Sequence, residues 1–424
     1  MTALLQVALR SALNRRGTLA LVVLSIALAT ALLLALERLR ADVRDGFSQA
    51  VSGTDLVVGA RSGPVPLMLY AVFRVGGATH NIGMDSVRAI AQHRSVAWVV
   101  PIALGDSHRG FPVVGTSTGY FEHFAWGDRQ PLVLAQGRAF AGTLDGLYEA
   151  VLGAQVAREL GYRLGDRITL SHGLGAALAA GHDDKPFTVV GVLAATGTPV
   201  DRSVHVSLQA IEAIHLDWAG GAPMPGLRIP ADAARKFELE PKAVTAALVG
   251  LKTRAAVFNV QRWVNDHEAE PLTAVLPGVA LDELWQVIAV GERSLLAVSA
   301  LVALVSLVSL VAVVLAGLNE RRRELAVLRA VGAGPRHVLA LLAVEGALVT
   351  LAGALIGAAV AALAVWAAGP LVQQHFGVTL RAAAPTLSQW GLFGAVLAAG
   401  MLASLVPGWR AYRLSLADGL SPRT

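Results

Sequence analysis

The chain has 424 residues, of which 54% are apolar and 15% charged, an unusually apolar balance for a soluble globular protein. Its formal charge of +5 does not indicate nucleic-acid binding, because the lysines are few and no zinc-finger, basic-zipper or basic-tail pattern occurs. The absence of cysteine excludes disulfide bonds and thiolate metal sites.

Four apolar segments are long enough to cross a membrane. A helix rises about 1.5 Å per residue, so about 20 apolar residues cross a hydrocarbon core of about 30 Å. The predicted spans are residues 18–36, 294–319, 337–368 and 387–406. The first reads as an uncleaved signal anchor, because no small-residue cleavage site follows its long apolar run. Glu345 interrupts the third span, and we expect it near the inner boundary in a structural role.

Arginine is concentrated on one side of these spans. Eleven arginines, with three acidic residues, lie in the N-terminal segment 1–17, the segment 320–336 and the C-terminal tail 407–424. By the positive-inside rule, both termini are predicted to face the cytoplasm of a bacterial cell, with the chain crossing the inner membrane several times. Residues 37–293 and the short loop 369–386 then lie on the outer side.

Residues 37–293 read as a folded domain. Short β-branched runs alternate with helix-like stretches, and the 23 basic residues nearly balance the 26 acidic ones. The stretch 218–230 is rich in glycine and proline and is the predicted boundary between two lobes. The predicted fold is therefore an α-helical membrane protein with four transmembrane helices and an α+β periplasmic domain between the first and second helices.

The outer domain contains no compact catalytic motif, and we predict no catalytic residue in this chain. The candidate metal ligands are His172, His182 and Asp183, which share a connection between two predicted strands. The alternative is a solvated hairpin loop with helix-capping acids. We favour that alternative and predict no metal site.

An apolar stretch follows the first predicted strand, at residues 64–73. It could contact an acylated or hydrophobic substrate near the membrane, or it could be a core helix. The residues that would contact the substrate are Leu67, Leu69, Tyr70 and Phe73.

The most specific motif follows the second span, where residues 319–338 read N-E-R-R-R-E-L-A-V-L-R-A-V-G-A-G-P-R-H-V. A short helix from about Glu320 would stop at the Gly-Ala-Gly-Pro sequence 332–335. A positive-inside anchor alone requires basic residues but not this ordered string. The segment resembles the cytoplasmic R-x-x-E-[IL]-[AG]-[IV]-L-R-A-[IL]-G-A segment of ABC transporter permeases of the MacB/FtsX/LolC-LolE type, also called type VII.

In that family the segment includes the coupling helix that docks into the ATPase. The resemblance therefore implies that the ATPase is contacted by Arg321, Glu324, Leu325, Leu328, Arg329 and Gly332. Three further stretches resemble the same family: Asn14-Arg-Arg before the first span, the exit P-G-W-R-A-Y-R from the fourth, and the pair 151–170 and 187–193 in the outer domain.

The sequence contains no P-loop, since none of its lysines follows a glycine. ATP and Mg²⁺ are therefore expected in a separate ATPase subunit of the LolD or MacB type, and no cofactor is expected in this chain. The resemblance also implies a second permease copy or homologue, contact with lipid and a periplasmic partner or lipoprotein.

The implied function is a permease that couples ATP hydrolysis by its partner to movement of the periplasmic domain. Its cargo would be a lipoprotein, a peptide or a hydrophobic small molecule. The alternative is an FtsX-like regulator that transports nothing and activates a cell-wall hydrolase. A membrane-anchored sensor would need a cytoplasmic signalling domain, for which the predicted cytoplasmic segments are too short.

Overall fold

The computed structural model describes residues 16–48, 50–77, 80–173, 181–219, 222–320, 333–376 and 384–413. They form two compact units, one made of long apolar helices and the other, the outer domain, centred on residues 43–288. In chain order the helices are α1 (Arg16–Ser48), α2 (Pro64–Ala71), α3 (Met84–Gln92), α4 (Gly119–His123), α5 (Ala154–Leu160), α6 (Leu208–His215), α7 (Ala231–Ala234), α8 (Val257–Asn265), α9 (Pro277–Glu320), α10 (Pro335–Phe376) and α11 (Leu387–Arg413).

The strands are short, as expected for β-branched runs broken by glycine and proline. In chain order they are β1 (Leu56–Ala60), β2 (Ile82–Gly83), β3 (Val96–Ala103), β4 (Asp106–His108), β5 (Phe111–Thr116), β6 (Ala125–Trp126), β7 (Gln130–Pro131), β8 (Leu134–Gly137), β9 (Glu149–Leu152), β10 (Arg167–Ile168), β11 (Ser171–His172), β12 (Phe187–Leu193), β13 (Val204–Ser207), β14 (Trp218–Ala219), β15 (Ala222–Pro223), β16 (Ala243–Val244), β17 (Ala246–Leu251) and β18 (Leu272–Val275).

Four of the described helices, α1, α9, α10 and α11, are long and apolar enough to cross a membrane. The predicted number of spans and the mixed domain between the first two are therefore confirmed. Three of these helices, α1, α9 and α10, are much longer than a membrane span requires. Helix α1 continues to Ser48, and α9 begins at Pro277, so each extends well past its apolar window.

Within the membrane unit, α10 packs closely against α1 through glycines. A Cβ atom on Gly353 would lie 2.8 Å from the Ile26 side chain, and one on Gly357 would lie 2.5 Å from the carbonyl oxygen of Ala27. The two glycines are spaced four residues apart, the small-xxx-small spacing that lets two helix backbones approach in lipid. Gly400 of α11 lies equally close to Thr350 of α10.

We predict that Gly357→Ala and Gly353→Ala each destabilise the membrane unit by about 1–3 kcal/mol, because the added methyl group has no space between α1 and α10. The matched controls are Gly391→Ala and Gly394→Ala in α11, where an added Cβ would meet no atom within 4 Å. The measurement is the melting temperature of the purified protein in detergent. Equal melting temperatures for both pairs of variants would contradict the close packing.

The outer domain is built on one mixed sheet. Its main path runs in the order β10, β12, β9, β13, β5, β3, β17, β1, β18. The pairs β9–β12 and β5–β13 are parallel, and the other pairs along this path are antiparallel. Strand β1 lies between β17 and β18, with Val57 opposite Val275 and Ala60 opposite Leu272.

This order places the two connections to the membrane helices side by side. Helix α1 leads into β1, and β18 leads into α9, so adjacent strands are attached to different membrane helices. The first turns of α9 belong to the domain core, where Ala280 and Leu281 are buried in the same cluster as Ala50 and Val51. The first turns of α9 are therefore part of the outer domain.

The stretch predicted as a lobe boundary, 218–230, contains the hairpin β14–β15. In the chain this stretch lies between β13 and β17, which are separated in the sheet by β5 and β3. The division into two lobes at this stretch stays a prediction.

One buried histidine lies in the middle of the sheet. His205 of β13 is fully buried, with Nδ1 3.3 Å from the carbonyl oxygen of Val151 and its ring 5.2 Å from that of Tyr120. Burial, followed by the charge of Arg74, lowers the pKa of His205 to about 3. At neutral pH the ring is therefore uncharged.

This buried ring makes the outer domain sensitive to acid. The unfolded chain takes up a proton near pH 6.5 while the folded state does not, so stability is lost as pH falls below 6.5, by about 1.4 kcal/mol per pH unit for this residue. His205→Gln should therefore show a shallower decline of the melting temperature between pH 6.5 and 4. His80→Gln, at an exposed histidine, should keep the original profile. An unchanged slope in His205→Gln would show that His205 does not carry this dependence.

Candidate functional site

The predicted ATPase-coupling residues, from Arg321 to Gly332, lie outside the described residues. The structure does describe both flanks. Helix α9 ends at Glu320 and α10 begins at Pro335. The contacts assigned to the side chains between these two helices stay a prediction.

The apolar stretch 64–73 forms helix α2, which packs on β1. A Cβ on Gly59 of β1 would lie 2.5 Å from Leu67, so the absence of a side chain there lets the helix approach the strand. Leu67 and Tyr70 are buried in the domain core, while Leu69 and Phe73 are half-buried. The burial of Leu67 and Tyr70 matches the alternative interpretation, a core helix. Substrate contact stays a prediction for the four residues.

Polar contacts join the membrane helices α1 and α9. Ser25 donates to Ser306 over 2.9 Å, and Arg40 forms an ion pair with Glu292 at 2.9 Å. Arg40 also contacts Glu37 of its own helix at 3.3 Å. Because Arg40 and Glu292 are only partly exposed, this pair is less screened than a surface ion pair. It holds α1 and α9 together near the ends that lead into the outer domain.

A cavity of about 410 Å³ opens within the membrane unit. Its wall is apolar, and the large side chains that line it are Leu34, Leu355, Val365, Trp390 and Phe393. Two polar residues, Arg38 and Gln389, also line it and are engaged elsewhere, Arg38 with Asp42 at 3.0 Å and Gln389 with a backbone carbonyl of α1 at 3.2 Å. The cavity offers a surface suited to an acyl chain or another apolar group. Glu345 is buried in α10.

Of the predicted metal candidates, the structure brings His172 together with two residues that sequence reasoning missed. His172 Nδ1 lies 3.1 Å from Asp106 Oδ1, and His215 Nε2 lies 3.3 Å from His172 Nδ1 and 3.4 Å from Asp106 Oδ1. Within the described residues these three form a group that could hold a metal ion. Asp183 is exposed and is not part of the group.

Three different elements supply this cluster. Asp106 and His172 are directly opposite each other in the antiparallel pair β4–β11, and His215 ends helix α6. The Ser107 hydroxyl donates to the carbonyl oxygen of Gly173, a further contact between β4 and the residue that follows β11. No local motif joins Asp106, His172 and His215, because they are separated by dozens of residues in the chain.

His182 lies beside this cluster. It is fully buried, its ring centroid is 4.9 Å from that of His215, and it packs 4.2 Å from the ring of Trp218. Neither ring nitrogen has a hydrogen-bond partner among the described residues. The expectation of a solvated loop is therefore wrong at His182, because Trp218 and its neighbours cover the ring.

A buried ion pair fixes the segment that carries His182. Lys185 is fully buried and its ammonium group lies 2.7 Å from Asp217 Oδ1. The other oxygen of Asp217 accepts from the backbone amide of Ile229 at 3.1 Å. Removing one partner of such a pair is costly, because the other charge stays buried without compensation. His182 and Trp218 are thereby held close to the cluster.

The buried carboxylate of Asp106 and the histidines around it shift one another's pKa values. Burial by itself would raise the pKa of Asp106, but hydrogen bonds from His172 and His215 bring it down to about 2. Burial would lower the pKa of His215, whereas its contact with Asp106 raises it. Burial, aided by the charge of His215, lowers the pKa of His182 to about 4. At neutral pH the carboxylate of Asp106 is therefore ionised and the ring of His182 is uncharged.

The chain matches known families in two regions. Residues 17–264 match the MacB-like periplasmic core domain, and residues 296–416 match the FtsX-like permease C-terminal region. The lipoprotein-releasing system transmembrane protein LolC of Neisseria meningitidis serogroup B is 24% identical over 249 residues, which is 58% of this chain and 54% of LolC. The chain thus spans about half the length of this curated relative.

Two solved structures are similar at low sequence identity. The periplasmic region of MacB from Actinobacillus actinomycetemcomitans is 12% identical with a TM-score of 0.33, covering 57% of this chain and 94% of that one. The extracellular domain of the noncanonic ABC-type transporter YknZ from Gram-positive bacteria is 15% identical with a TM-score of 0.30, covering 53% and 98%.

The MacB-like match alone covers more than half of the chain, and the FtsX-like match covers most of the rest. This multi-pass membrane protein therefore belongs to the family of FtsX-like permeases with a MacB-like periplasmic core domain.

Proposed function

We propose that the chain is the transmembrane subunit of an ABC transporter, in which a separate ATPase drives movement of the outer domain. The observation that carries this proposal is the pair of long helices α1 and α9. Each runs on past its apolar window, and they connect to the neighbouring strands β1 and β18. A displacement of either helix is therefore delivered to adjacent strands of one sheet.

The helices suit this task because they are linked to each other. The Arg40–Glu292 ion pair and the Ser25–Ser306 hydrogen bond join α1 to α9 at two levels. Helix α10 packs against α1 through its glycines, and α10 begins just after the predicted coupling segment. Motion at that segment would pass directly to α9 and through α10 to α1.

The arginine distribution supports an orientation with both termini and the coupling segment in the cytoplasm. The outer domain then lies on the far side of the inner membrane. Family membership supports a partner ATPase that supplies ATP and Mg²⁺, and a second permease subunit. The similarity to LolC and the apolar cavity of about 410 Å³ support a cargo with an acyl or other hydrophobic group, such as a lipoprotein.

The coupling segment provides the experiment. In a helix, Leu325 and Leu328 would share one face, and their burial in the ATPase would anchor the complex. We predict that the double variant Leu325→Asp, Leu328→Asp inserts normally but loses the ATPase on copurification, because two anchors of this kind contribute several kcal/mol. Permease-stimulated ATP hydrolysis should be lost as well.

The matched control is Ala326→Asp, Ala330→Asp, which adds the same charge on the opposite face of the predicted helix. It should keep the ATPase bound. If the leucine variant retained the ATPase stoichiometrically, the segment would be a topological anchor and the proposed coupling would be wrong.

A further inference from the structure

The cluster of Asp106, His172 and His215 has the donor set of a metal site. Two imidazoles and a carboxylate are the ligands that zinc takes in proteins, alongside thiolates, which this chain lacks. The ligand atoms belong to β4, β11 and α6, which come from distant parts of the sequence. The pairing of β4 with β11 brings Asp106 and His172 together, but it does not require His215 to lie beside them.

The spacing of the donor atoms fits a small tetrahedral ion. The three separations are 3.1, 3.3 and 3.4 Å. Two ligand atoms at about 2.1 Å from a tetrahedral zinc ion are about 3.4 Å apart, so the donors already form the face of such a tetrahedron. Calcium and magnesium would prefer a shell of oxygen atoms, which the cluster does not supply.

The tautomer of His215 is set by its backbone. His215 Nδ1 lies 2.8 Å from the carbonyl oxygen of Ile211, which can only accept, so Nδ1 carries the proton. Nε2 is then the ring atom available to a ligand, and it lies 3.4 Å from the carboxylate oxygen of Asp106. A carbonyl partner on the second nitrogen is the usual support of a metal-ligating histidine. In the metal-free state a proton on Nε2 accounts for this contact, and a zinc ion would take the place of that proton.

A second observation also indicates a ligand. His182 is fully buried next to His215, and both of its ring nitrogens lack a partner among the described residues. Leaving a buried polar group unpaired costs about 1–3 kcal/mol, and a water molecule held as the fourth ligand of a bound ion would give His182 a partner. The buried Lys185–Asp217 pair keeps the segment in place.

We propose that the outer domain binds one zinc ion through Asp106, His172 and His215, with His182 completing the wall of the site. The ion joins the strand pair β4–β11 to the end of helix α6. A proton on His172 Nδ1 moves to Nε2 of the ring, or to solvent from a charged ring, as the metal binds, since a metal takes the unprotonated nitrogen of a neutral imidazole. This assignment is independent of the transport proposal, because it concerns the outer domain alone.

The test measures zinc in the purified full-length protein after chelator treatment, reloading with ZnCl₂ and dialysis. The unaltered protein should retain about one zinc per chain with a Kd of about 1 μM or tighter. The variant His172→Ala, His215→Ala should bind at least about 100-fold more weakly. His80→Ala, an exposed histidine in the same domain, should bind as the unaltered protein does. Added zinc should raise the melting temperature of the unaltered protein and of His80→Ala only.

The unaltered protein provides a readout that does not depend on the folding of any variant. Co²⁺ in place of zinc should give the intense visible bands of a four-coordinate ion, and zinc should abolish them. The proposal is overturned if the unaltered protein retains no zinc, if Co²⁺ shows only weak six-coordinate bands, or if the folded double variant binds zinc as tightly as the unaltered protein.

Discussion

The structure depends on one topological constraint: the two strands that connect the outer domain to the membrane helices are neighbours in the sheet. Strand β1 follows α1, β18 precedes α9, and the two strands are paired from Val57–Val275 to Ala60–Leu272. Strands that share a hydrogen-bond ladder cannot move independently without breaking it. The helices that enter these strands are therefore constrained as a pair at the domain, and the Arg40–Glu292 ion pair constrains them again within the membrane unit.

The membrane unit is organised around the same two helices. Helix α1 contacts α9 through serine and charged side chains, and it contacts α10 through the glycines at 353 and 357. Without a hydrophobic driving force between helices in lipid, close backbone approach and polar contacts are what specify their packing. Helix α1 makes both kinds of contact, and is therefore the element through which a displacement of α10 or α9 would be shared.

Sequence reasoning predicted the elements whose signal is local. The apolar runs gave four membrane helices, and short runs such as 187–193 and 246–251 correspond to strands β12 and β17. The lengths of α1 and α9 beyond the membrane were not predicted, because there the helices carry charged residues and their apolar signal ends. The stretch 64–73 shows a different limit, since the apolar pattern of a helix is the same whether the helix faces a core or a ligand.

Only part of the histidine cluster could be predicted from the sequence. His172 and His182 were candidates because they lie close together in the chain. Asp106 and His215 join them through strand pairing and helix packing, which no spacing rule reveals. The orientation of the chain and the role of the coupling segment were likewise inferred from sequence, and they stay predictions because they concern partners and a membrane.

The central claim, that ATP binding by the partner moves the outer domain, can be measured directly because the chain has no cysteine to remove. Spin labels would be placed at exposed Asp232→Cys in the outer domain and at exposed Leu402→Cys in α11. Pulsed electron-electron double resonance on the permease–ATPase complex in lipid would compare the nucleotide-free and ATP-trapped states. The account predicts two different distance distributions, and a difference that disappears when the ATPase cannot bind nucleotide. The same distribution in both states of an assembled, ATP-hydrolysing complex would contradict it.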